Sequence, residues 1–271
     1  MDNIFAFGAF KSRLLVSFAV VAFATSVNAD TLTIIAKFDG SAFRTEVEIV
    51  GSPMAYTGVA FDTPVGTVAL EPDAGETQWD FESDNISLAE LNAAVTAPIT
   101  FRFFTDGGAT ESIYSLAAPT TADLATGDFP VRATSLDVTL SANPLRPTAT
   151  WAGGDPSADA LFLTYQDLVT FDEFGDPSLD PSTNPTSYTL QQDLLPGTYE
   201  AALGFWTVFS MPALSLQSGP EVFFPEADEV FFVLAGETLF SPVDIVPIPL
   251  PAAGLLFPFA LLAARMLRRR R

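Results

Sequence analysis

The stretch Leu195-Pro-Gly-Thr-Tyr199, with Ala201-Ala-Leu-Gly-Phe-Trp206 after it, decides the fold class of this 271-residue chain. The Pro-Gly pair predicts a turn, and the alternating run that follows predicts a strand with one face in a core. A more strongly apolar strand is predicted at Ala160-Leu-Phe-Leu-Thr-Tyr165. Short strands bounded by Pro, Gly, Asp and Asn are typical of an antiparallel β-protein.

Two more strands are predicted in this half of the chain. Pro147-Thr-Ala-Thr-Trp151 ends in a Trp and is followed by the turn Gly153-Gly-Asp-Pro156. Thr186-Ser-Tyr-Thr-Leu190 lies just before the opening stretch, and closing strands are expected within residues 222–240. The chain therefore offers the strands of a two-sheet sandwich here.

In this order, residues 135–210 resemble a fibronectin type III or related immunoglobulin-like sandwich. The resemblance implies that Trp151 packs in the core against the facing sheet. It also implies that Tyr199 is a tyrosine-corner residue whose hydroxyl bonds back to nearby backbone. The sequence departs from the pattern through a long acidic loop at 172–184, and a shared fold does not supply a function.

The first half of the chain also alternates. Residues 32–38 and 43–50 flank the turn signal Asp39-Gly40, which predicts a β-hairpin. Further short strands are predicted at 56–61, 67–70 and 78–82, and a second hairpin joins 99–104 to 112–116 through Asp106-Gly-Gly108. A spacing of about ten residues between strands is the pattern of a sandwich or barrel.

One helix is predicted in the body, at Ser87-Leu-Ala-Glu-Leu-Asn-Ala-Ala-Val95. Ser87 and Glu90 have the spacing of a capping box, in which each side chain bonds the other residue's backbone N–H. Leu88, Leu91 and Val95 fall on one helical face, and Pro98 follows the last turn.

The N-terminus is predicted to be a signal peptide covering residues 1–29. Lys11 and Arg13 precede an apolar run from Leu14 to Ala24, and a small-x-small site ends at Ala29. The run is too short to span the ~30 Å hydrocarbon core as a helix. We therefore expect cleavage between Ala29 and Asp30.

The C-terminus is organised in three parts. A Pro-rich stalk at 242–251 leads into an apolar segment at 252–271, predicted to be a transmembrane helix, which ends in an arginine cluster. The cluster consists of Arg265, Arg268, Arg269, Arg270 and Arg271. These arginines are expected to hold the far end of the helix in the cytoplasm, with the body on the opposite side.

This tripartite end resembles the PEP-CTERM class of bacterial sorting signals, in its VPLPA-CTERM variant. The motif positions are Ile248, Pro249, Leu250, Pro251 and Ala252, with Ile in the place of Val. The resemblance implies that an exosortase-type membrane transpeptidase recognises and cleaves the motif, after a signal peptidase has acted at the other end. It also implies an inner-membrane tether on the periplasmic side, followed by transfer to the envelope, the surface or an exopolysaccharide matrix. A plain tail anchor is the alternative.

Taken together, these features predict an all-β protein of one or two antiparallel β-sandwich domains. The predicted domains are 30–134 and 135–241, with a signal helix before them and a transmembrane helix after them.

Composition excludes several functions. The chain has no Cys and no His, which removes the usual zinc, copper and haem ligands and any Ser-His-Asp triad. Its net charge is −21, and only five of its 12 basic residues lie between the two end segments. Phosphate backbones repel so acidic a body, so no nucleic-acid partner is expected.

Oxygen-ligand and carboxylate chemistry remain open. Asp172, Glu173, Asp176 and Asp180 lie in the acidic loop and could offer oxygens to one calcium ion, although a solvated turn-rich loop is the simpler interpretation. No other cofactor is expected.

Asp80 and Glu82 have the spacing of a glycosidase carboxylate pair, which the outward face of any strand also produces. Trp79, Trp151 and Trp206 could form a sugar-stacking platform, although core packing is the default for such residues.

The expected function follows from the two ends rather than from the body. We expect a non-enzymatic, exported and surface-sorted envelope or matrix protein with a structural or adhesive role. The alternatives are a carbohydrate-binding or glycan-cleaving surface protein that uses carboxylates, and a calcium-dependent adhesion module.

Overall fold

The computed structural model describes residues 30–50, 56–63, 66–72, 78–140, 142–170, 173–223 and 229–246. The predicted signal segment, the sorting motif, the terminal arginines and Asp172 lie outside these ranges. Within them no helix has the length and apolar character needed to cross a membrane.

The regular structure of the described chain is mostly β-strand, as expected. The strands are β1 Thr31–Phe38, β2 Phe43–Val50, β3 Gly58–Thr63, β4 Gly66–Ala69, β5 Glu71–Pro72, β6 Gln78–Glu82, β7 Ile99–Thr105, β8 Thr110–Leu116, β9 Ala133–Leu140, β10 Pro147–Gly153, β11 Ala160–Asp167, β12 Glu173–Leu179, β13 Ser187–Thr189, β14 Gly197–Ser210, β15 Ser215–Ser218, β16 Val230–Ala235 and β17 Leu239–Ile245. The helix α1 covers Leu88–Val95.

The strands form three sheets. The large sheet has nine strands in the order β12-β11-β14-β16-β1-β2-β6-β5, and β17 also pairs with β14. A five-stranded sheet has the order β15-β8-β7-β3-β4, and a three-stranded sheet has the order β13-β10-β9. The sheets of the two predicted domains are therefore not separate, because the large sheet takes strands from both.

Strand β14 is the centre of the large sheet. β11 pairs with it from Tyr199 to Trp206 on one side. On the other side, β17 pairs with residues Gly197 to Leu203, and β16 pairs with residues Trp206 to Ser210. One long strand thus serves both halves of the molecule.

The chain crosses the predicted boundary at 134/135 more than once. β16, from the second predicted domain, pairs in parallel with β1 at the N-terminus, and β15 pairs with β8. Strand pairing therefore joins the two predicted sequence ranges. Local patterning cannot reveal this arrangement, because the pairing joins segments that are far apart in sequence.

Two cores lie on the same face of the large sheet. One core packs β1, β2, β6 and β16 against the five-stranded sheet, with Phe101 and Phe103 at its centre. The other packs β11 and β14 against the three-stranded sheet, with Leu163 and Tyr199 fully buried. Strand alternation puts a third cluster, around Ile35 and Phe162, on the opposite face of the sheet.

The predicted hairpins are confirmed. β1 and β2 pair antiparallel around a turn in which Asp39 Oδ1 accepts hydrogen bonds from the backbone N–H groups of Ser41 (3.0 Å) and Ala42 (2.7 Å). Gly40 has a φ of +85°, a conformation that L side chains rarely adopt. β7 and β8 pair in the same way around Asp106-Gly-Gly108.

The predicted helix is confirmed as well. Ser87 caps α1, since its hydroxyl accepts from the Glu90 N–H while the Glu90 carboxylate accepts from the Ser87 N–H. Leu91 and Val95 are buried, and Leu88 packs against the same core. The helix ends at the C-cap Thr96, two residues before Pro98.

Two predicted segments differ from the structure. Residues 173–179 of the expected acidic loop form β12, which pairs with β11. β17 continues to Ile245, so residues 242–245 of the expected stalk belong to the large sheet. In both places, pairing with a neighbouring strand overrides Asp and Pro residues that favour turns.

Candidate functional site: a row of carboxylates on the large sheet

The predicted pair Asp80 and Glu82 belongs to a larger group. β6 pairs with β2 so that Asp80 lies opposite Glu48 and Glu82 opposite Glu46. These four residues, which we call the carboxylate row, share the face of the large sheet that is turned away from the two smaller sheets. We call this face the outer face.

The spacing of the row fits carboxylate chemistry. Directly opposed residues of an antiparallel pair have Cβ atoms roughly 4.5–5.5 Å apart. Residues i and i+2 of one strand are about 7 Å apart. Both values lie near the range of about 5–9.5 Å that separates the two carboxyls of glycosidases. On spacing alone, the row could place an acid and a nucleophile or base.

Burial and ion pairing favour a structural role for the row. Glu46 and Glu48 are buried, with Glu48 only 1% exposed. Lys37 Nζ lies 2.6 Å from Glu46 Oε1. Arg44 binds Glu82 at 2.9 Å and Asp39 at 3.5 Å. The two cations thus offset part of the repulsion between carboxylates that face one another across the strands.

The Arg44 contacts also shift two pKa values. The hydrogen bond to Glu82 raises the pKa of Arg44, against the opposing effect of partial burial. Partial burial by itself would raise the pKa of Asp39, but hydrogen bonds from Ala42 and Ser41, together with Arg44, lower it overall. Both groups therefore stay charged at neutral pH, as an ion-pair network requires.

Glu46 and Glu48 were not predicted as site residues. Their alternation in Phe43–Val50 is the ordinary pattern of a half-buried strand, in which the polar positions face water. Only the pairing of β2 with β6 shows that they lie beside Asp80 and Glu82. The available signal was two glutamates at i, i+2, which many exposed strands share.

The three tryptophans do not form a platform, so the core interpretation is confirmed. Trp79 packs in the first core, 6.1 Å from the Tyr56 ring. Trp151 lies in the second core. Trp206 belongs to the outer-face cluster, with its ring 4.8 Å from that of Phe162. Each Trp is buried in a different cluster.

Of the predicted calcium ligands, Glu173 and Asp176 lie in β12 and Asp180 lies just past its end. An extended strand rises about 3.3 Å per residue, so the seven steps from Glu173 to Asp180 cover roughly 20 Å. Asp180 lies past the strand end, where its carboxylate caps the short turn Pro181–Thr183 by accepting from the Ser182 N–H at 2.9 Å. The backbone therefore holds Glu173 and Asp180 far apart, and calcium binding stays a prediction. Among the described residues, no group of three or more Asp or Glu could hold a metal.

The tyrosine corner is present as predicted. The Tyr199 hydroxyl donates to the Leu195 carbonyl at 3.0 Å, four residues upstream. Trp151 is buried in the same core, as the resemblance implied. A second tyrosine, Tyr114, ties a loop to the first core, since its hydroxyl accepts from the N–H groups of Val222 (2.8 Å) and Phe223 (3.1 Å).

The chain matches no protein-family profile and no curated protein. Solved structures with similarity include a segment of two fibronectin type III domains from chicken tenascin, at 10% identity and a TM-score of 0.29, covering 79% of this chain and 99% of that chain. Another is a cytokine receptor complex, at 10% identity and a TM-score of 0.27, covering 80% of this chain and 98% of that chain.

A third similar structure is the FN1–FN3 segment of chicken CNTN1, at 8% identity and a TM-score of 0.27, covering 81% of this chain and 69% of that chain. TM-scores this low carry no argument about fold or function. The strand pairing and the tyrosine corner of the molecule itself define its fold.

Proposed function

We propose that the protein is exported, held at the periplasmic side of the inner membrane by its C-terminal segment, and then sorted to the envelope or extracellular matrix. Its role there is structural or adhesive, and it has no enzymatic activity. An exosortase-type transpeptidase is its processing partner, and exopolysaccharide is its surrounding matrix. The predicted signal peptide, the predicted sorting motif and the arginine cluster of the sequence support this destination.

One observation in the body carries the structural role. All seven residues of β17 pair with β14, and the last pair joins Ile245 to Gly197. The predicted sorting motif begins at Ile248, three residues after that pair. Any tether attached at the motif is thus joined almost directly to the central strand of the large sheet. Force on such a tether would be transmitted through β17 into the large sheet.

The chemistry of the body agrees with this proposal. In the carboxylate row, Glu46 pairs with Lys37 and Glu82 pairs with Arg44, and the chain has no Cys or His to serve as a nucleophile or base. Asp30, the predicted first residue of the mature chain, is buried and directly precedes β1. Signal-peptide cleavage at that bond would leave no long extension before the fold begins.

The test is deletion of residues 247–271 followed by cell fractionation. We expect the body to be released into the medium or periplasm, with loss of a surface or biofilm phenotype. A matched variant, Pro249→Ala with Pro251→Ala, retains the apolar segment and the arginines, and should accumulate uncleaved in the inner membrane. Mass spectrometry of the wild-type surface form completes the test. A mature form that retains Leu255 to Arg271 would refute sortase-type cleavage.

Glycan cleavage is the second candidate, because the carboxylate row has a compatible spacing. Glu48→Gln should abolish any release of reducing sugar from the matrix polysaccharide if this candidate is right. The control is Glu111→Gln, which removes an exposed carboxylate from the five-stranded sheet. Equal sugar release by the two variants and the wild type, or no release at all, would exclude the candidate.

A further inference from the structure

Exposed apolar side chains are concentrated at one end of the sandwich that the three-stranded sheet forms with β11, β14 and β17 around the second core. Among the described residues, nine large hydrophobic side chains are exposed, and five of them lie at this end. These five, which we call the apolar end, are Leu140, Leu168, Val169, Leu195 and Val246. Val169 is 80% exposed and Leu195 is 71% exposed, whereas the adjoining core residues Leu194 and Ile245 are buried.

Backbone contacts bring the five residues together. The Leu168 N–H donates to the Thr198 carbonyl at 3.0 Å, next to the pair that joins Gly197 to Ile245. Val246 directly follows Ile245. Leu140 is opposite Pro147, and the neighbouring Leu145 carbonyl accepts from the Leu194 N–H at 2.8 Å.

The backbone that carries these side chains is fixed by hydrogen bonds. Asp167 Oδ1 accepts from the N–H groups of Val169 (2.7 Å) and Thr170 (3.1 Å). The Leu195 carbonyl accepts the tyrosine-corner bond from Tyr199. Val169 and Leu195 are therefore displayed on backbone that is held in place, and exposed apolar side chains grouped in one region are typical of interaction surfaces.

The chain leaves the described body through the apolar end. Val246 is a member of it, and the predicted membrane segment begins at Ala252, six residues further on. Six extended residues span at most about 20 Å. The apolar end is thus the part of the body that a membrane-inserted tail keeps nearest to the lipid.

The acidic groups of this end are already engaged. Asp244 Oδ1 accepts from the Thr198 hydroxyl at 2.8 Å, Asp193 binds Arg146, and Asp167 caps its own turn. The basic residue described beside these groups, Arg146, is itself paired with Asp193, so attraction to anionic headgroups is not the proposed binding force. The chemistry fits the boundary between headgroups and acyl chains of a zwitterionic bilayer.

We propose that the apolar end inserts into this boundary while the tail is still embedded, and so seats the body upright on the membrane before cleavage. The proposal rests on the membrane-tethered state described above. It assigns a lipid-contact surface to residues that the sandwich core does not use.

The test uses the absence of native cysteine in the chain. Full-length protein carrying Val169→Cys is labelled with an environment-sensitive fluorophore and reconstituted into phosphatidylcholine nanodiscs containing lipid-borne nitroxide quenchers. The matched control is Val131→Cys, which is 63% exposed and lies near Ala133, at the opposite end of the strand that finishes at Leu140. A third variant, Ala260→Cys, reports on the predicted membrane segment.

We expect loss of fluorescence at positions 169 and 260 and retained fluorescence at position 131. Quenching at 260 alone would overturn the lipid-contact surface and leave the tether intact. Equal quenching at 169 and 131 would overturn it too, since the contact would then not be specific to the apolar end. No quenching at 169 or 260 would overturn both the surface and the tether.

Discussion

At the scale of single residues, two fully buried tyrosines of one core differ in the hydrogen bonding of their hydroxyl groups. Tyr199 donates its hydroxyl proton to the Leu195 carbonyl, whereas the Tyr165 hydroxyl has no hydrogen-bond partner. Burial, with Tyr188 nearby, raises the pKa of Tyr165. The pair separates the effect of a hydrogen bond from that of a buried aromatic ring.

We predict that Tyr199→Phe destabilises the fold by about 1 kcal/mol, the usual net value of one hydrogen bond. Tyr165→Phe should be neutral or stabilising, because it removes a buried polar atom that gains nothing in the folded state. Urea unfolding of both variants measures the difference. Equal destabilisation by the two substitutions would contradict the assignment of the corner bond.

An ion pair in the five-stranded sheet makes stability depend on pH. Arg102 Nη2 donates to Asp62 Oδ2 at 2.9 Å and Thr67 Oγ1 donates to Asp62 Oδ1 at 2.6 Å. Both bonds lower the pKa of Asp62, and the bond from Arg102 has the larger effect. A carboxyl whose pKa is lower in the folded than in the unfolded state stabilises the fold at pH values above its unfolded pKa of about 3.9. This stabilisation is lost as the pH falls through the pKa of the folded state.

We therefore predict that Asp62→Asn reduces stability at pH 6 by about 0.2–1 kcal/mol, as for other partly exposed pairs, and has a smaller effect at pH 2–3. Melting temperatures across this range measure it. The double-mutant cycle with Arg102→Gln is the control, since the coupling between the two sites should vanish in acid. A coupling that persists at low pH would contradict the prediction.

Residue-level sequence reasoning succeeded where a residue's role is local or tied to a motif. Trp151 and Tyr199 occupy the predicted places, because a turn four residues upstream is enough to define a tyrosine corner. Glu46 and Glu48 were missed, since their neighbours on β6 are more than thirty residues away in sequence. The carboxylate row is a product of pairing, which alternation alone does not specify.

At the scale of elements, α1 depends on its capping box. Ser87→Ala removes the side-chain acceptor of the Glu90 N–H and should destabilise the protein by about 1 kcal/mol. Glu90→Gln is the matched control, because Gln can still bond the Ser87 N–H and should cost less. Far-ultraviolet circular dichroism during urea unfolding provides the measurement. A larger loss from Glu90→Gln would show that the charge matters more than the cap.

Strand β12 sets the expectation for calcium. Its extended backbone separates Glu173 from Asp180 by roughly 20 Å, so we predict the same melting temperature in millimolar calcium and in chelator. Differential scanning calorimetry of the full chain measures it, with magnesium as the ionic-strength control. A rise specific to calcium, lost in Asp180→Asn, would restore the calcium-dependent adhesion module.

The elements that were misread share one cause. Residues 173–179 and 242–245 contain Pro and Asp, which weaken any strand prediction from local propensity. Both segments are strands because β11 and β14 are already present to pair with them. The hairpins and the helix, in contrast, carry their own turn and cap signals and were found from the sequence.

At the scale of the whole molecule, the shared strand β14 predicts cooperative unfolding. Leu163→Ala and Phe101→Ala each empty a fully buried position, one in each core, at an expected cost of about 2–5 kcal/mol. Because one sheet serves both cores, each variant should lower the temperature of the same single calorimetric transition. Two transitions, each shifted by only one variant, would show independent domains.

The all-β class followed from alternation and turn spacing, whereas the division into two consecutive domains stays a prediction that the calorimetric experiment tests. Sequence patterns report which face of a strand is buried and are silent about which distant strand lies beside it. β15 and β16 were therefore assigned to the half of the chain that contains them, although they pair with β8 and β1.

The parallel pair of β1 with β16 has a consequence for the order of events during export. A chain that crosses a membrane from its N-terminus delivers β1 first and β16 almost last. Until then one edge of β1 presents unpaired N–H and C=O groups, which invite pairing with other chains. In a chain exported as proposed above, the large sheet would close only after β16 has crossed, close to the moment when the C-terminal segment reaches the membrane. The parallel pair would then delay completion of the fold until late in export.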